Sequence, residues 1–331
     1  MMANKGGMAI VFWGPHSNST EMYARRLKAA CYLIHYFSWK RPWVAPFKYP
    51  LMWLKTWWVL LKQRPSSVLV INTPVFAPLC VYLYCLFARI PFAMKVHGHT
   101  LSGRKWGWSR PLQHFLARKA VVNLIDTSEY QQIFESWGAR ILFLEDPPLE
   151  VPQACLDSTG NPGEFWVTVV STFAGDEPLD LVVEAARCLP QVRFFILGDT
   201  SLAKKELLEA APQNVTFPGY LKGNDYWKQL YSSQAIMTLT TDPYSLVAGG
   251  TEGIYIGKTL ILSRQPALLE YFTKGTVFID HTVDSIAAGV RQAQERESIL
   301  SQESAELAVE KSATWETVSY KFLQILEGSH G

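Results

Sequence analysis

The chain has 331 residues, 48% hydrophobic and 18% charged, enough to bury two cores of ordinary domain size and unlike the composition of a disordered chain. Its five cysteines, Cys31, Cys80, Cys85, Cys155 and Cys188, form no Cys-x-x-Cys pair and no His/Cys cluster of zinc spacing, which argues against a disulfide framework or structural metal and for a reducing cytoplasm. The net charge of +2 conceals two unlike halves: residues 1–150 hold 18 Lys and Arg against 7 Asp and Glu, the remainder 13 against 22.

In chain order, the opening MMANKGGMAIVFW has too short an apolar run for a secretory signal, and its first predicted strand is Ala9–Trp13. His16, just past that strand, is a candidate acceptor-binding residue. Between Tyr32 and Trp58, Trp39, Trp43, Trp53, Trp57 and Trp58 alternate with Lys40, Arg41, Lys48 and Lys55. Indoles favour the membrane interface and lysines attract anionic lipid, so the pattern resembles a monotopic anchoring surface. The alternative is a domain core, since Leu51, Leu54, Trp58 and Leu61 fall at helical spacing. From Met1 to Ile125 the only acid is Glu21, a positive potential suited to lipid head groups or lipid diphosphates. No RNA-binding aromatic motif or zinc finger accompanies it, so no nucleic-acid partner is expected. The longest apolar run, Val75 to Ala88, carries a proline and falls short of the roughly twenty residues that span a bilayer.

Further strands are predicted at Val68–Asn72, Phe92–Val96, Val121–Asp126 and Ile141–Leu144, separated by helical lengths. His97 and His99 follow the strand ending at Val96, two residues apart on extended chain, and suit acid/base chemistry or sugar recognition. The next loop, HTLSGRKWGWSR, offers Arg104, Lys105, Trp106 and Trp108: rings that stack on sugars and cations that bind phosphate. A proline- and glycine-rich run from Glu145 to Gly163 marks a boundary, giving domains of 1–150 and 151–311. The second half repeats the alternation with strands at Phe165–Ser171, Arg193–Gly198, Val215–Pro218, Ala235–Leu239, Thr259–Leu262 and Val277–Ile279. A final helix, 312–329, with Trp315, Val318, Phe322 and Ile325 on one face, is expected to return to the first domain.

Within that half, AGGTEGIYIGK sets Glu252 at the start of a helix behind Gly249, Gly250 and Thr251. Amides at such a turn can meet a diphosphate with the positive end of the helix dipole, while the carboxylate accepts from ribose hydroxyls. The ordered segments VVSTFAGDEPLDLVVEAARCLPQVRFFILGD, NVTFPGYLKGNDYWKQLYSSQAIMTLT, VAGGTEGIYIGKTLILS and ALLEYFTKGTVFIDHT resemble the donor domain of GT-B glycosyltransferases of the family 4 type. The resemblance covers about 150 residues; the first half matches by organisation and by VHGHT after Val96.

That resemblance implies an α/β protein of two Rossmann-like, doubly wound parallel-sheet domains facing across a cleft. The first would bind the acceptor and face the membrane, and the second would bind a nucleoside-diphosphate sugar. Glu252 would then be the donor-ribose carboxylate. Gly249, Gly250 and Thr251 would lie at the diphosphate, Ser171 and Thr172 after the opening strand, and Tyr220 and Leu221 near the base. His97 would reach the transferred sugar. Three positions depart from the pattern: the family's first glutamate is replaced by Tyr244, with Asp242 the nearest carboxylate, and its phosphate-binding arginine and lysine by Thr172 and Glu177. Another cation should serve the phosphates, from Lys258, Lys222, Arg264, Lys95, Arg104 or Lys105.

The expected activity is sugar transfer, metal-independent and with retention slightly favoured, to a lipid-diphosphate-linked saccharide in surface-polysaccharide assembly. The expected location is cytoplasmic, peripheral on the anionic inner membrane face, with no cofactor beyond the donor. A nucleotide-sugar epimerase or a non-catalytic scaffold of the same shape are the rival readings.

Overall fold

A computed structural model describes residues 6–15, 17–37, 44–72, 74–96, 107–126, 128–152, 163–243 and 245–329. The chain divides into two compact units, one of residues 1–147 with 313–331 and the other of residues 148–312.

The first unit holds strands β1 (Met8–Phe12), β2 (Ala30–Leu33), β3 (Ser67–Ile71), β4 (Phe92–Lys95), β5 (Asn123–Ile125) and β6 (Ile141–Phe143). Its helices are α1 (Asn18–Arg26), α2 (Ala45–Gln63), α3 (Phe76–Ala88), α4 (Arg110–Lys119) and α5 (Ser128–Ser136). The sheet runs β2-β1-β3-β4-β5-β6, every pair parallel, with Ala9 in register with both Ala30 and Val68. Alternate residues serve opposite faces, as the pleat requires. Val11, Val68, Val70 and Met94 pack under α2 and α3, whereas Ile10, Leu69, Ala93 and Leu124 pack against α1 and the end of the last helix. Being buried on both faces is why β3 reads SVLVI without a polar alternation. The apolar run after Val75 is α3, a helix with Ala77, Cys80, Val81 and Tyr84 buried. No helix among the described residues is long and apolar enough to cross a membrane.

The second unit holds β7 (Phe165–Val170), β8 (Val192–Leu197), β9 (Val215–Gly219), β10 (Ala235–Thr238), β11 (Thr259–Ser263) and β12 (Thr276–Ile279). Between them come α6 (Leu179–Arg187), α7 (Lys205–Glu209), α8 (Gly223–Ser232), α9 (Ala248–Tyr255), α10 (Pro266–Tyr271) and α11 (Val283–Glu295), followed by α12 (Glu297–Glu327). The order is β12-β11-β10-β7-β8-β9, again all parallel. Strand order reverses between β7 and β10, and the crevice outside the carboxyl ends at such a reversal is where open α/β sheets bind ligands. Of α12, residues 297–312 belong to this unit, where Leu307 is buried, and Trp315, Phe322 and Leu326 are buried in the first. The final helix is thus longer than the predicted 312–329, because Leu300 and Leu307 continue an apolar face upstream of Trp315.

Beyond those bounds, one strand differs from the sequence reading. Ala30–Leu33 forms β2 at a sheet edge, four half-buried residues whose short run carries little periodic signal.

Candidate functional site

Beyond β7 the chain enters the turn TFAGDEP, whose conformation is held by Glu177. Its carboxylate accepts from Ser171 Oγ (2.7 Å), Thr172 N (3.0 Å), Thr172 Oγ1 (2.9 Å) and Ala174 N (3.2 Å). This set of donors compensates the left-handed backbone of Phe173 at φ 56°. Asp176 ties the same turn to the end of β10: Thr240 Oγ1 donates to its Oδ2 at 2.7 Å, and Thr241 N donates to its carbonyl at 2.8 Å. The next helix, α6, begins after Pro178 with no side-chain cap. The acidic pair is spent on the loop.

Opposite this turn stands α9. Its N-cap, Val247, offers no side-chain hydrogen bond, and its carbonyl accepts from Gly250 N (3.1 Å) and Thr251 N (3.2 Å), so no side chain caps the amides of Ala248 and Gly249. The glycines explain how α9 comes so near the sheet. A Cβ on Gly249 would stand 2.4 Å from Thr238 Oγ1 and 2.7 Å from Val170, and one on Gly253 would stand 2.4 Å from Leu260. Val170, Ser171, Thr172, Asp176, Glu177, Thr238 and Thr240 thereby share with Val247, Ala248 and Gly249 a pocket of about 240 Å³ at the switch point. Thr238 Oγ1, buried at its base, has no hydrogen-bond partner among the described residues.

One turn into α9, Glu252 accepts a hydrogen bond from the hydroxyl of Tyr226 on α8. Burial pushes the Glu252 carboxyl up to about 7, with the Tyr226 bond acting in the opposite direction. The Tyr226 hydroxyl is itself pushed well above the usual tyrosine range by burial and by the Glu252 charge. Tyr220, 67% exposed just after β9, lies under the Lys222 ammonium at 5.2 Å, and Leu221 packs into the cluster around Leu230 and Ile254.

Ser171, Thr172 and Gly249 thus meet in one pocket, and Thr251 and Glu252 continue the helix that closes it. Gly250 is buried towards Phe272. Asp242, beyond β10, donates its amide to Thr240 Oγ1 at 3.1 Å. Trp108 is 64% exposed and packs on Phe76, ring centroids 6.1 Å apart. His16, His97, His99, Arg104, Lys105, Trp106 and Tyr244 lie outside the described residues.

Three expected phosphate cations are committed elsewhere. Lys258 follows the C-terminal end of α9, away from the amides, and donates to the Tyr231 carbonyl at 2.8 Å. Arg264 donates to the Phe278 carbonyl and pairs with Asp280 at 3.5 Å. Lys95 is wholly buried in the first unit, bonded to Asp146 (3.0 Å), Asp126 (3.6 Å) and the Tyr23 hydroxyl (2.9 Å). Asp146 and the other charges hold its ammonium well above the usual lysine range despite the opposing cost of burial. Spacing alone offers no sign of such commitments, because each partner comes from a different strand or helix. Tyr226 and Asp176 were missed as site residues for the same reason.

Two parallel sheets in tandem, one with its order reversing at β7 and β10, define the GT-B fold. Solved structures share it along nearly the whole chain. Anabaena HepE, in complex with UDP and glucose, matches with a TM-score of 0.70 at 12% identity, covering 97% of this chain and 100% of its own. Sucrose-phosphate synthase from Thermosynechococcus elongatus matches at 0.67 and 11% identity, covering 96% and 88%. A putative UDP-N-acetylglucosamine 2-epimerase from Listeria monocytogenes matches at 0.61 and 11%, covering 90% and 91%. No protein-family model matches the chain, and no curated protein matches it in sequence.

Proposed function

We propose that the protein is a glycosyltransferase that takes a sugar from a nucleoside diphosphate and passes it to a lipid-diphosphate-linked saccharide in surface-polysaccharide assembly. The observation that carries the reading is the pocket between the β7 turn and the uncapped start of α9, with Glu252 one turn further in. In this reading the α9 amides meet the diphosphate, Glu252 accepts from the ribose hydroxyls, and Tyr220 and Leu221 flank the base. Ser171 and Thr172 line the pocket as hydroxyl donors, and Thr251 follows the glycines. Lys222, exposed beside Tyr220, supplies a cation near the donor. The acceptor oxygen forms its bond to the anomeric carbon as the bond to the phosphate oxygen breaks. The helix dipole stabilises the departing nucleoside diphosphate without a metal ion. Retention is slightly favoured over inversion, and an inverting reaction would use His97, His99 or Asp242 to take the acceptor proton. The first unit carries the acceptor through His16, Arg104, Lys105, Trp106 and Trp108 at the cytoplasmic face of the membrane. HepE and sucrose-phosphate synthase, which share the fold, support transfer; the epimerase of the same fold supports a second reading in which a free sugar epimer is released.

The test is to incubate the protein with labelled nucleotide sugars and membranes containing lipid-linked saccharides, and to follow label into the lipid extract. Transfer from one donor, reduced about a hundredfold in Glu252→Ala, is expected for the loss of charge-assisted hydrogen bonds. Release of a free epimer without acceptor, or no turnover of any donor, contradicts the proposal.

A further inference from the structure

A helix that is apolar all round normally lies inside a protein. Helix α2 is apolar along much of its outer side as well as its inner one, and it lies on the outside. Its inner side buries Met52, Thr56, Val59 and Leu60. Its outer side presents Phe47 (68% exposed), Leu51, Leu54 (66%), Trp58 (55%) and Leu61, spaced at three and four residues so that they form one continuous stripe. Beside it, α3 adds Leu83, Leu86 and Phe87 (71% exposed), and the Phe87 ring stacks on Trp57 at 6.3 Å, joining the two helices into one ledge. At the amino end of α2, Pro46, Tyr49, Pro50, Trp53, Leu54 and Phe76 line an apolar pocket of about 590 Å³ that shares Leu54 with the stripe. Isolated exposed apolar residues need no explanation, whereas a continuous patch of this kind marks a binding surface.

Charge decides what it binds. Lys55 and Lys62 flank the stripe with their ammonium groups 4.2 and 5.2 Å from the Trp58 ring centre, and Arg64 and Arg89 close the two helices at their C-terminal ends. No acidic residue occurs in the sequence between Glu21 and Asp126, which spans α2, α3 and α4. Protein partners usually meet mixed charge at the rim of an apolar patch. A rim of cations alone around aliphatic and indole groups complements an anionic bilayer, with phosphates meeting the lysines and acyl chains meeting the stripe.

We propose that the α2–α3 ledge is the face on which the protein seats itself on an anionic phospholipid bilayer. The α2 stripe enters the acyl boundary and the pocket by Tyr49 and Trp53 receives a lipid chain. The proposal rests on the membrane-borne acceptor of the preceding reading and names the surface that reaches it. It does not depend on the donor chemistry.

The test is sedimentation of the full chain with phosphatidylcholine vesicles, with and without phosphatidylglycerol. Sedimentation should require the anionic lipid and weaken as salt rises. Replacing Leu54 and Trp58 together by Gln should lower partitioning at least tenfold. Lys55→Glu with Lys62→Glu should lower it about fivefold or more for each position. Leu54, Trp58 and Lys62 are exposed and Lys55 is half-buried, so the melting temperatures of both variants should stay near that of the parent. Equal partitioning of parent and variants overturns the proposal, as does absence of binding to anionic vesicles. A lipid-independent dimer that the Leu54 and Trp58 substitutions dissociate also overturns it, because a second copy would then be the occupant. Thermal stabilisation by UDP in the same samples separates the two readings. Stabilisation without vesicle binding defeats the ledge alone, and vesicle binding without stabilisation by any nucleotide defeats the transferase alone.

Discussion

Glu252 shows what sequence spacing could and could not reveal about a single residue. Its place in the first turns of a glycine-led helix was legible in AGGTEG, but its pairing with Tyr226 was not, because α8 and α9 meet only in the folded unit. That pairing has a pH signature. A carboxyl raised from 4.5 to about 7 binds its proton more tightly in the folded state than in the unfolded one. Its contribution to stability is therefore complete below the unfolded value and is lost as pH rises from about 4.5 through 7. In the proposed site, donor binding would need the ionised form and would run the other way, rising about tenfold per pH unit below 7 and levelling above it. Glu252→Gln should flatten the stability profile between pH 5 and 8 and weaken donor binding by up to about a hundredfold, as denaturant melts and calorimetry would read. Tyr226→Phe removes the bond that opposes the rise, so the acid limb of kcat/KM for the donor should move to higher pH. An unmoved limb would show that Tyr226 does not position Glu252. The glycines carry a second lesson. The sequence suggests Gly249 as a route for phosphate to the backbone; in the structure it is the point where α9 rests on Val170 and Thr238. Gly249→Ala should cost about 1–3 kcal/mol in chemical denaturation, because the added methyl meets a strand rather than solvent.

Elements were legible wherever burial on two faces made strands uniformly apolar, as in SVLVI of β3 and TLILS of β11. They were illegible where four residues at an edge had no such demand, as in β2. The Pro-bearing run at Val75 was readable as too short for a bilayer, and its burial against β3 and β4 gives the reason for its hydrophobicity. Long-range electrostatics lay beyond any local pattern. Lys95 ends β4, the neighbouring β5 leads to Asp126 and β6 to Asp146, and one buried ammonium holds these carboxyl ends together with Tyr23 of α1. Lys95→Met should destabilise the first unit by about 3 kcal/mol or more, because two carboxylates lose the charge that compensates them. Urea melts of the variant would read it; stability equal to the parent would mean that water serves those carboxylates as well as the lysine does.

On the scale of the whole chain, the segregation of charge joins the two functional proposals. The half with 18 cations and 7 acids contains the α2–α3 ledge, and the acidic half contains the switch-point pocket. An anionic surface therefore attracts one unit and repels the other, which would orient the protein at a membrane before any specific contact forms. That orientation is independent of the donor chemistry, whereas the proposed sugar transfer depends on one central claim, that the switch-point pocket of the second unit holds a nucleoside diphosphate. The measurement that tests it most directly is thermal stabilisation of the purified chain across a panel of nucleoside diphosphates and their sugars, with Glu252→Ala alongside. A ligand at a hundred times its dissociation constant should stabilise by about 2.7 kcal/mol. A shift of that size with one base, and its loss in the variant, is expected. No shift with any nucleotide in folded protein, or a shift that Glu252→Ala leaves intact, would contradict it.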